Sequence, residues 1–313
     1  MSYFKIKDYS LKCTLAGKTV FDKIFHLKRY YGHTSFHTID DLRLKKPEDF
    51  FDQELVDGLF PPSIPMKNSV KKIINENGFL KYLISTYTEL YVDFSSGFES
   101  YLAAFSSKSR STLKRKIRKF EKLSNGEIDW KMYKDPDEIM EFYHLARSVS
   151  KETYQEKEFN IGLPDTPEFI ELIKKQAMNN SVRGYLLFLE GKPISYLYYP
   201  LNNKIFSYSH LGYLPEMGKY SVGTVLFVLS LEQIFTDEDA DYMHFFEGES
   251  PVKDLFSTGS EKCGNYVVLK STFKNKLWIY LHYSLQSSFD IFTNFLDKVG
   301  IKEKLKKFFL KNP

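Results

Sequence analysis

The chain has 313 residues, 42% of them hydrophobic and 17% aromatic, the aromatic share carried by 28 Phe and 22 Tyr. That composition excludes a disordered chain and predicts a compact protein of one large or two ordinary domains. A formal net charge of +4 is too small to imply nucleic-acid binding by the chain as a whole.

No run approaches the roughly eighteen apolar residues that a membrane span needs. The start, Met1-Ser2-Tyr3-Phe4-Lys5-Ile6-Lys7-Asp8, lacks the apolar core of a signal peptide. Cys13 and Cys263 have no metal-ligand spacing around them and read as reduced thiols. A cytoplasmic protein without a metal is expected.

Residues 1–90 carry the weakest patterns, and Pro61-Pro62-Ser63-Ile64-Pro65 divides them. Leu90 to Phe94 reads as a short strand. Ser109 to Leu123 reads as a basic amphipathic helix, with Leu113, Ile117, Phe120 and Leu123 on one face. Between Lys108 and Lys122 stand eight Lys or Arg. A solvated face explains them as well as a grip on a polyanionic acceptor or an anionic lipid surface. Asp135-Pro136-Asp137-Glu138 predicts a helix start, with the helix running to about Ser150. Thr166-Pro167-Glu168 predicts a second, ending near Asn180, and Lys151 to Asp165 reads as a long polar loop.

From Arg183 the pattern turns to strands: Gly184 to Leu189, Ile194 to Leu201 after the Glu190-Gly191-Lys192-Pro193 turn, and Lys204 to Tyr213 after Asn202-Asn203. An apolar helix follows over Val225 to Phe235, then strands at Tyr242 to Phe246 and Tyr266 to Phe273. The order predicts a mixed α+β fold with a largely antiparallel sheet. The tail from Lys298 to Lys311 is basic, with Ile301, Leu305, Phe308 and Phe309 at helical spacing. It fits docking onto the domain or an interfacial membrane contact.

The most informative stretch is Leu211 to Leu226. It joins the third of these strands to the apolar helix through small residues ending in Ser221-Val222-Gly223-Thr224. Such a loop leaves unpaired N–H groups at the positive end of a helix dipole, which suits a phosphate or pyrophosphate. Glycine in an αβ connection also serves simply to turn the chain.

This order of elements resembles the GNAT acyltransferase fold, whose loop carries an Arg/Gln-x-x-Gly-x-Gly/Ala pattern. Here the pattern reads Gly218-Lys219-Tyr220-Ser221-Val222-Gly223, with Lys219 replacing the lost positive charge. Three further stretches resemble the FemAB-like, CelD-type branch linked to cellulose and exopolysaccharide production. They are Tyr101 to Arg115, Gly191-Lys192-Pro193-Ile194-Ser195, and Phe246-Glu247-Gly248-Glu249-Ser250-Pro251-Val252-Lys253, with Val252 in place of the family's tyrosine. The resemblance implies a divergent N-terminal region over 1–90, a degenerate GNAT half; an acyltransferase domain over 91–275; and a basic helical tail over 276–313.

It further implies acetyl-CoA or another acyl-CoA as donor, held by Leu211, Gly212, Tyr213, Lys219, Ser221, Val222, Gly223 and Thr224. Glycine at 212 is expected to let the donor approach. Glu249 and Glu247 are the candidate bases, against a reading as solvated loop carboxylates. His210 is a candidate base or a structural histidine. Lys253 is a candidate for pairing with Glu249 or holding an anion. The acceptor implied is an amine or hydroxyl on a sugar or cell-envelope precursor. Two alternatives stay open. One is FemAB-type peptidyl transfer from aminoacyl-tRNA, the only reading with a nucleic-acid partner. The other is a non-catalytic GNAT-like module that contacts a ligand or, through its basic helices, a membrane surface.

Overall fold

The computed structural model describes residues 3–15, 18–31, 56–61, 64–66, 71–248 and 250–298. The chain opens with β1 (Tyr3–Leu15), β2 (Lys18–Tyr31), β3 (Gly58–Phe60), β4 (Ile64–Pro65), β5 (Ile73–Glu76) and β6 (Phe79–Asp93). Next come α1 (Phe98–Ala103), α2 (Ser107–Leu123), β7 (Trp130–Tyr133), α3 (Ile139–Ser150), α4 (Tyr154–Phe159) and α5 (Pro167–Met178). Four strands follow: β8 (Val182–Leu189), β9 (Lys192–Asn202), β10 (Ile205–Ser207) and β11 (His210–Tyr213). A 3-10 turn at Pro215–Tyr220 leads to α6 (Val222–Asp237), β12 (Tyr242–His244), α7 (Pro251–Phe256), β13 (Gly259–Lys270) and α8 (Phe273–Lys298). The fold is α+β with a mostly antiparallel sheet, as the order of patterns predicts.

The chain divides into two compact units, one of residues 88–262 and the other of residues 2–87 with 263–313. The boundaries fall inside β6 and β13. In the second unit β1 and β2 form a long antiparallel hairpin, β2 pairs in parallel with β3, and β3 pairs with β13. Its core gathers Leu11, Phe25, Leu27, Tyr82, Val267, Leu269 and Ile279.

The 88–262 unit is a layered structure around β8 and β9. These strands are buried along nearly their whole length because both faces are covered. Tyr185, Leu187, Leu197 and Tyr199 turn to one face, where α6 lies. Leu186, Tyr196 and Tyr198 turn to the other, against α3 and α5. The α6 helix is apolar all round and accordingly buried, with Val225, Leu226, Leu231 and Ile234 each at most 1% exposed. Helix α3 shows one apolar stripe, Ile139, Phe142, Ala146 and Val149, facing the sheet. Thr166 caps α5 as its sequence predicts, accepting from Phe169 N–H at 3.3 Å, with Pro167 in the first turn.

Three expectations are corrected. Asp135 does not cap α3: residues 135–138 form a turn, and Glu138 stands at the helix start without a side-chain cap. The 151–165 loop contains α4, capped by Thr153. The single strand expected over Lys204 to Tyr213 is two strands. Phe206 faces Leu201 of β9 while His210 faces Tyr198, so four residues advance on one strand against three on the other. That is a β-bulge, and it switches which side chains face α6. The tail residues Ile301, Leu305, Phe308 and Phe309 lie outside the described residues.

A buried polar cluster fixes the α3–α5 connection. Arg147 Nη1 donates to Glu156 Oε1 and Oε2 at 2.9 and 2.7 Å and to Leu163 O at 2.6 Å. Ser150 Oγ donates to Glu156 at 2.5 Å and receives Tyr196 OH at 3.1 Å. Gly162 lets this happen, since a Cβ there would lie 2.0 Å from Glu156 Oε2. Burial pushes the Glu156 carboxyl up, but hydrogen bonds from Arg147 and Ser150 outweigh it and hold it below the usual carboxylate range. Glu156→Ala removes the bidentate partner of a guanidinium whose side chain is 9% exposed, leaving it Asp165 and the Leu163 carbonyl, at an expected cost of about 1.5–3 kcal/mol read from denaturation midpoints at neutral pH. A depressed carboxyl stabilises above its unfolded pKa and loses that contribution as pH falls through the folded value. The acid-side loss of stability is therefore expected to be shallower in Glu156→Ala than in the native chain.

Candidate functional site

The bulge sits where the sheet of the 88–262 unit splits. β10 pairs in parallel with β12 over three residues, ending at Ser207↔His244, and Tyr208 N–H then donates to His244 O at 3.0 Å. Beyond that point the two strands follow different neighbours. Phe245 N–H donates to Leu90 O, keeping the chain with β6, whereas β11 pairs with β9 alone among the described residues. One edge of β11 is thus open to a cleft. Leu214 N–H donates to Ile194 O of β9. By the alternation of an antiparallel ladder, Gly212 and His210 also turn their backbone groups to β9, and Leu211 and Tyr213 turn theirs to the open edge.

The bulge also sorts the side chains. Before it Phe206 and Tyr208 face α6; after it Leu211 and Tyr213 do. His210 goes to the other face, between the rings of Phe169 and Tyr198 at 6.0 and 5.8 Å. There burial pushes its pKa down to about 4, a hydrogen bond to the Gly162 backbone opposing the shift. It is a neutral imidazole in an aromatic slot and a poor base. Gly212 has a packing role on that same face. A Cβ there would meet Tyr196 at 2.6 Å and Thr153 at 2.7 Å, so the glycine seats β11 against those side chains.

The loop that opens α6 has the features of an anion cradle. Ser221 adopts the left-handed conformation at φ 58°, its side chain does not cap the helix, and the first turn holds no acid. Ser221, Gly223 and Thr224 are partly exposed, while the Val222 side chain is an anchor in the core. Tyr213 lies over the loop: a Cβ on Gly223 or Gly218 would come within 3.2 or 3.3 Å of its ring. Two lysines that the sequence reading did not connect to the loop reach it from α2. Lys116 Nζ is 3.4 Å from Thr224 Oγ1, and Lys119 Nζ donates to Lys219 O at 2.7 Å. The ammonium groups of Lys119 and Lys219 both stand over the Tyr220 ring, at 5.3 and 5.2 Å. Three cations and the positive end of a sixteen-residue helix therefore converge with no acid in the first turn, which fits a phosphate-bearing donor.

Glu249 lies outside the described residues, and Glu247 is exposed. Lys253 points back into its own loop. Its Nζ donates to the carbonyls of Phe246, Glu247 and Gly248 at 3.3, 3.2 and 2.9 Å, closing the loop on itself. Burial pushes its ammonium down, partly offset by Glu89. On the outer side of α2, Arg110, Lys114, Arg115, Arg118, Lys119 and Lys122 line a groove of about 610 Å³.

Residues 107–254 match the family model described as Acetyltransferase (GNAT) domain. No curated protein is matched by the sequence. Among solved structures the chain is similar to FemX, with 9% identity and a TM-score of 0.50 over 88% of this chain and 90% of that one. It is also similar to L-PGS from Bacillus licheniformis, at 15% identity and a TM-score of 0.48 over 84% and 85%. A GCN5-related N-acetyltransferase from Kribbella flavida is similar at 11% identity and a TM-score of 0.32, over 60% of this chain and 59% of that one. At 9% identity the likeness to FemX is one of fold.

A histidine buried as a neutral group takes up its proton later than in the unfolded chain, so the native state loses stability as pH falls from about 6.5 toward 4. NMR titration of His210 is expected to give a midpoint near pH 4, and His210→Phe is expected to remove this contribution to acid sensitivity.

Proposed function

We propose that the 88–262 unit is an acyltransferase of the GNAT type that takes an acyl-CoA donor and transfers its acyl group directly to an amine or hydroxyl. One observation carries the reading: the sheet splits at Ser207↔His244 beside a helix start lined by Lys116, Lys119 and Lys219. The open N–H groups of Leu211 and Tyr213 suit an acyl carbonyl, and the α6 amides with the three lysines suit its phosphates. The acceptor proposed is a sugar or cell-envelope precursor, after the CelD-type resemblance.

Thermal shift against CoA and acetyl-CoA tests this. A ligand at a hundred times its dissociation constant adds about 2.7 kcal/mol of stability, so a clear rise in melting temperature is expected. Lys116→Glu with Lys119→Glu is expected to abolish the rise, as is Gly223→Val, whose branched side chain meets Tyr213. An unchanged response in both variants would place the ligand elsewhere.

The groove along α2 favours a second reading, in which the donor is an aminoacyl-tRNA. Its lining is cationic, with two serines and no apolar side chain, which suits a phosphodiester chain better than an inserted membrane contact. In that case tRNA binding weakens steeply with salt, the logarithmic slope being about −0.7 to −0.9 per phosphate contacted. Lys114→Ala with Arg118→Ala is expected to reduce that slope by about two contacts. Weak, salt-independent retention of tRNA would reject the second reading.

A further inference from the structure

A row of polar side chains crosses the sheet at the apex of the cleft, on the face away from α6. Leu90, Val92, Phe206 and Met243 all belong to the core under α6. Strand alternation therefore turns Glu89, Tyr91, Ser207 and His244 to the opposite face. The register sets Ser207 beside His244 and His244 beside Tyr91. His244 Nδ1 lies 3.4 Å from Glu89 Oε2, with the two side chains 13% and 1% exposed. The Tyr91 ring stacks on the imidazole, with ring centroids 5.9 Å apart and 26° between planes. Ser207 is 1% exposed, and its hydroxyl has no hydrogen-bond partner among the described residues.

A buried hydroxyl without a partner is costly and points to a group that completes it. The Glu89–His244 contact at 3.4 Å is one of charge rather than a hydrogen bond, and a carboxylate that close to the ring favours the proton on the near nitrogen. The same division of labour serves a base and its orienting acid in many acyl-transfer sites. Here the pair stands at the last residue pair before β10 and β12 part, where an acyl group lying along β11 would end.

We propose that His244 is the general base for the acceptor, that Glu89 is the positioning residue for its imidazole, and that the Ser207 hydroxyl hydrogen-bonds the acceptor's nucleophilic atom. The assignment rests on the acyl-transfer reading. The acceptor N–H or O–H attacks the thioester carbon, a new N–C or O–C bond forms, and the C–S bond breaks. The acceptor's proton passes to His244 Nε2 and from there to the departing thiolate, so the imidazole ends as it began. Glu89 acts only through the histidine.

Release of the CoA thiol from acetyl-CoA is the assay, with water as the weak acceptor and hydroxylamine as a strong one. His244→Gln is expected to lower hydrolysis by about 10²–10⁴-fold. The hydroxylamine reaction, which needs less help with its proton, falls far less. The CoA-dependent thermal shift stays intact and confirms folding. Ser207→Ala lowers hydrolysis with the same pH profile. Among the described residues, Glu89 and Tyr91 from β6, Tyr242 on its own strand and Ser207 from β10 stand around the imidazole. Lys253 of α7 acts on Glu89 by charge. Glu89→Gln is expected to lower kcat for hydrolysis with KM for acetyl-CoA unchanged, and Glu89→Asp to recover part of the loss. A normal CoA shift with hydrolysis within threefold of native in His244→Gln overturns the assignment alone. A native chain with neither CoA shift nor thiol release overturns the acyl-transfer reading and the assignment with it.

Discussion

One extra residue between Phe206 and His210 governs the architecture of the 88–262 unit. Without it β10 and β11 would run as one strand, hydrogen-bonded on both sides, and β12 would close its outer edge. With it the backbone phase changes. The strand parts from β12, and the amides of Leu211 and Tyr213 face open space. A bulge leaves a residue unpaired and bends its strand, so it is kept where the bend has a use. The opening follows directly from that misfit.

Around the opening two kinds of order meet. Helix α6 is anchored by hydrophobic burial along most of its length, and that rigidity lets its first turn carry uncapped amides and a residue at positive φ. Helix α2 contributes the opposite property. Its apolar residues Leu113 and Phe120 are buried, which leaves Lys116 and Lys119 aimed at the start of α6 and the other cations facing outward. One amphipathic helix therefore presents positive charge on two sides. Lys116 and Lys119 are engaged with Thr224 and Lys219, and Lys119 also borders the groove that the outer cations line.

What the sequence made legible was local. The α5 cap at Thr166 and the apolar length of α6 follow from periods of a few residues. So does the tight turn at Glu190-Gly191, where both residues take positive φ. The N-terminal strands were illegible because their partners lie far off, as Leu59 pairs with Val268. The bulge escaped notice because Ser207-Tyr208-Ser209-His210 continues an alternating pattern without a break. That misplaced His210 and hid the purpose of Gly212. Lys116 and Lys119 looked like members of a solvated face, since nothing in their spacing points to a loop a hundred residues later. Glu89 and His244 were single polar letters in apolar runs, and only the register joins them.

The interleaved layout of the two units has a consequence for how the polypeptide assembles as it emerges from the ribosome. Residues 88–262 are contiguous, so their core can gather while synthesis is still under way. The strands before them cannot finish in the same way, because Leu59 and Phe79 share a core with Tyr266 and Val268. The first-made strands thus complete their structure last. During that wait β3 lacks β13 along one edge, and such an edge invites pairing with a neighbouring nascent chain. Demand for chaperones during expression should therefore concentrate on the strands made before residue 88.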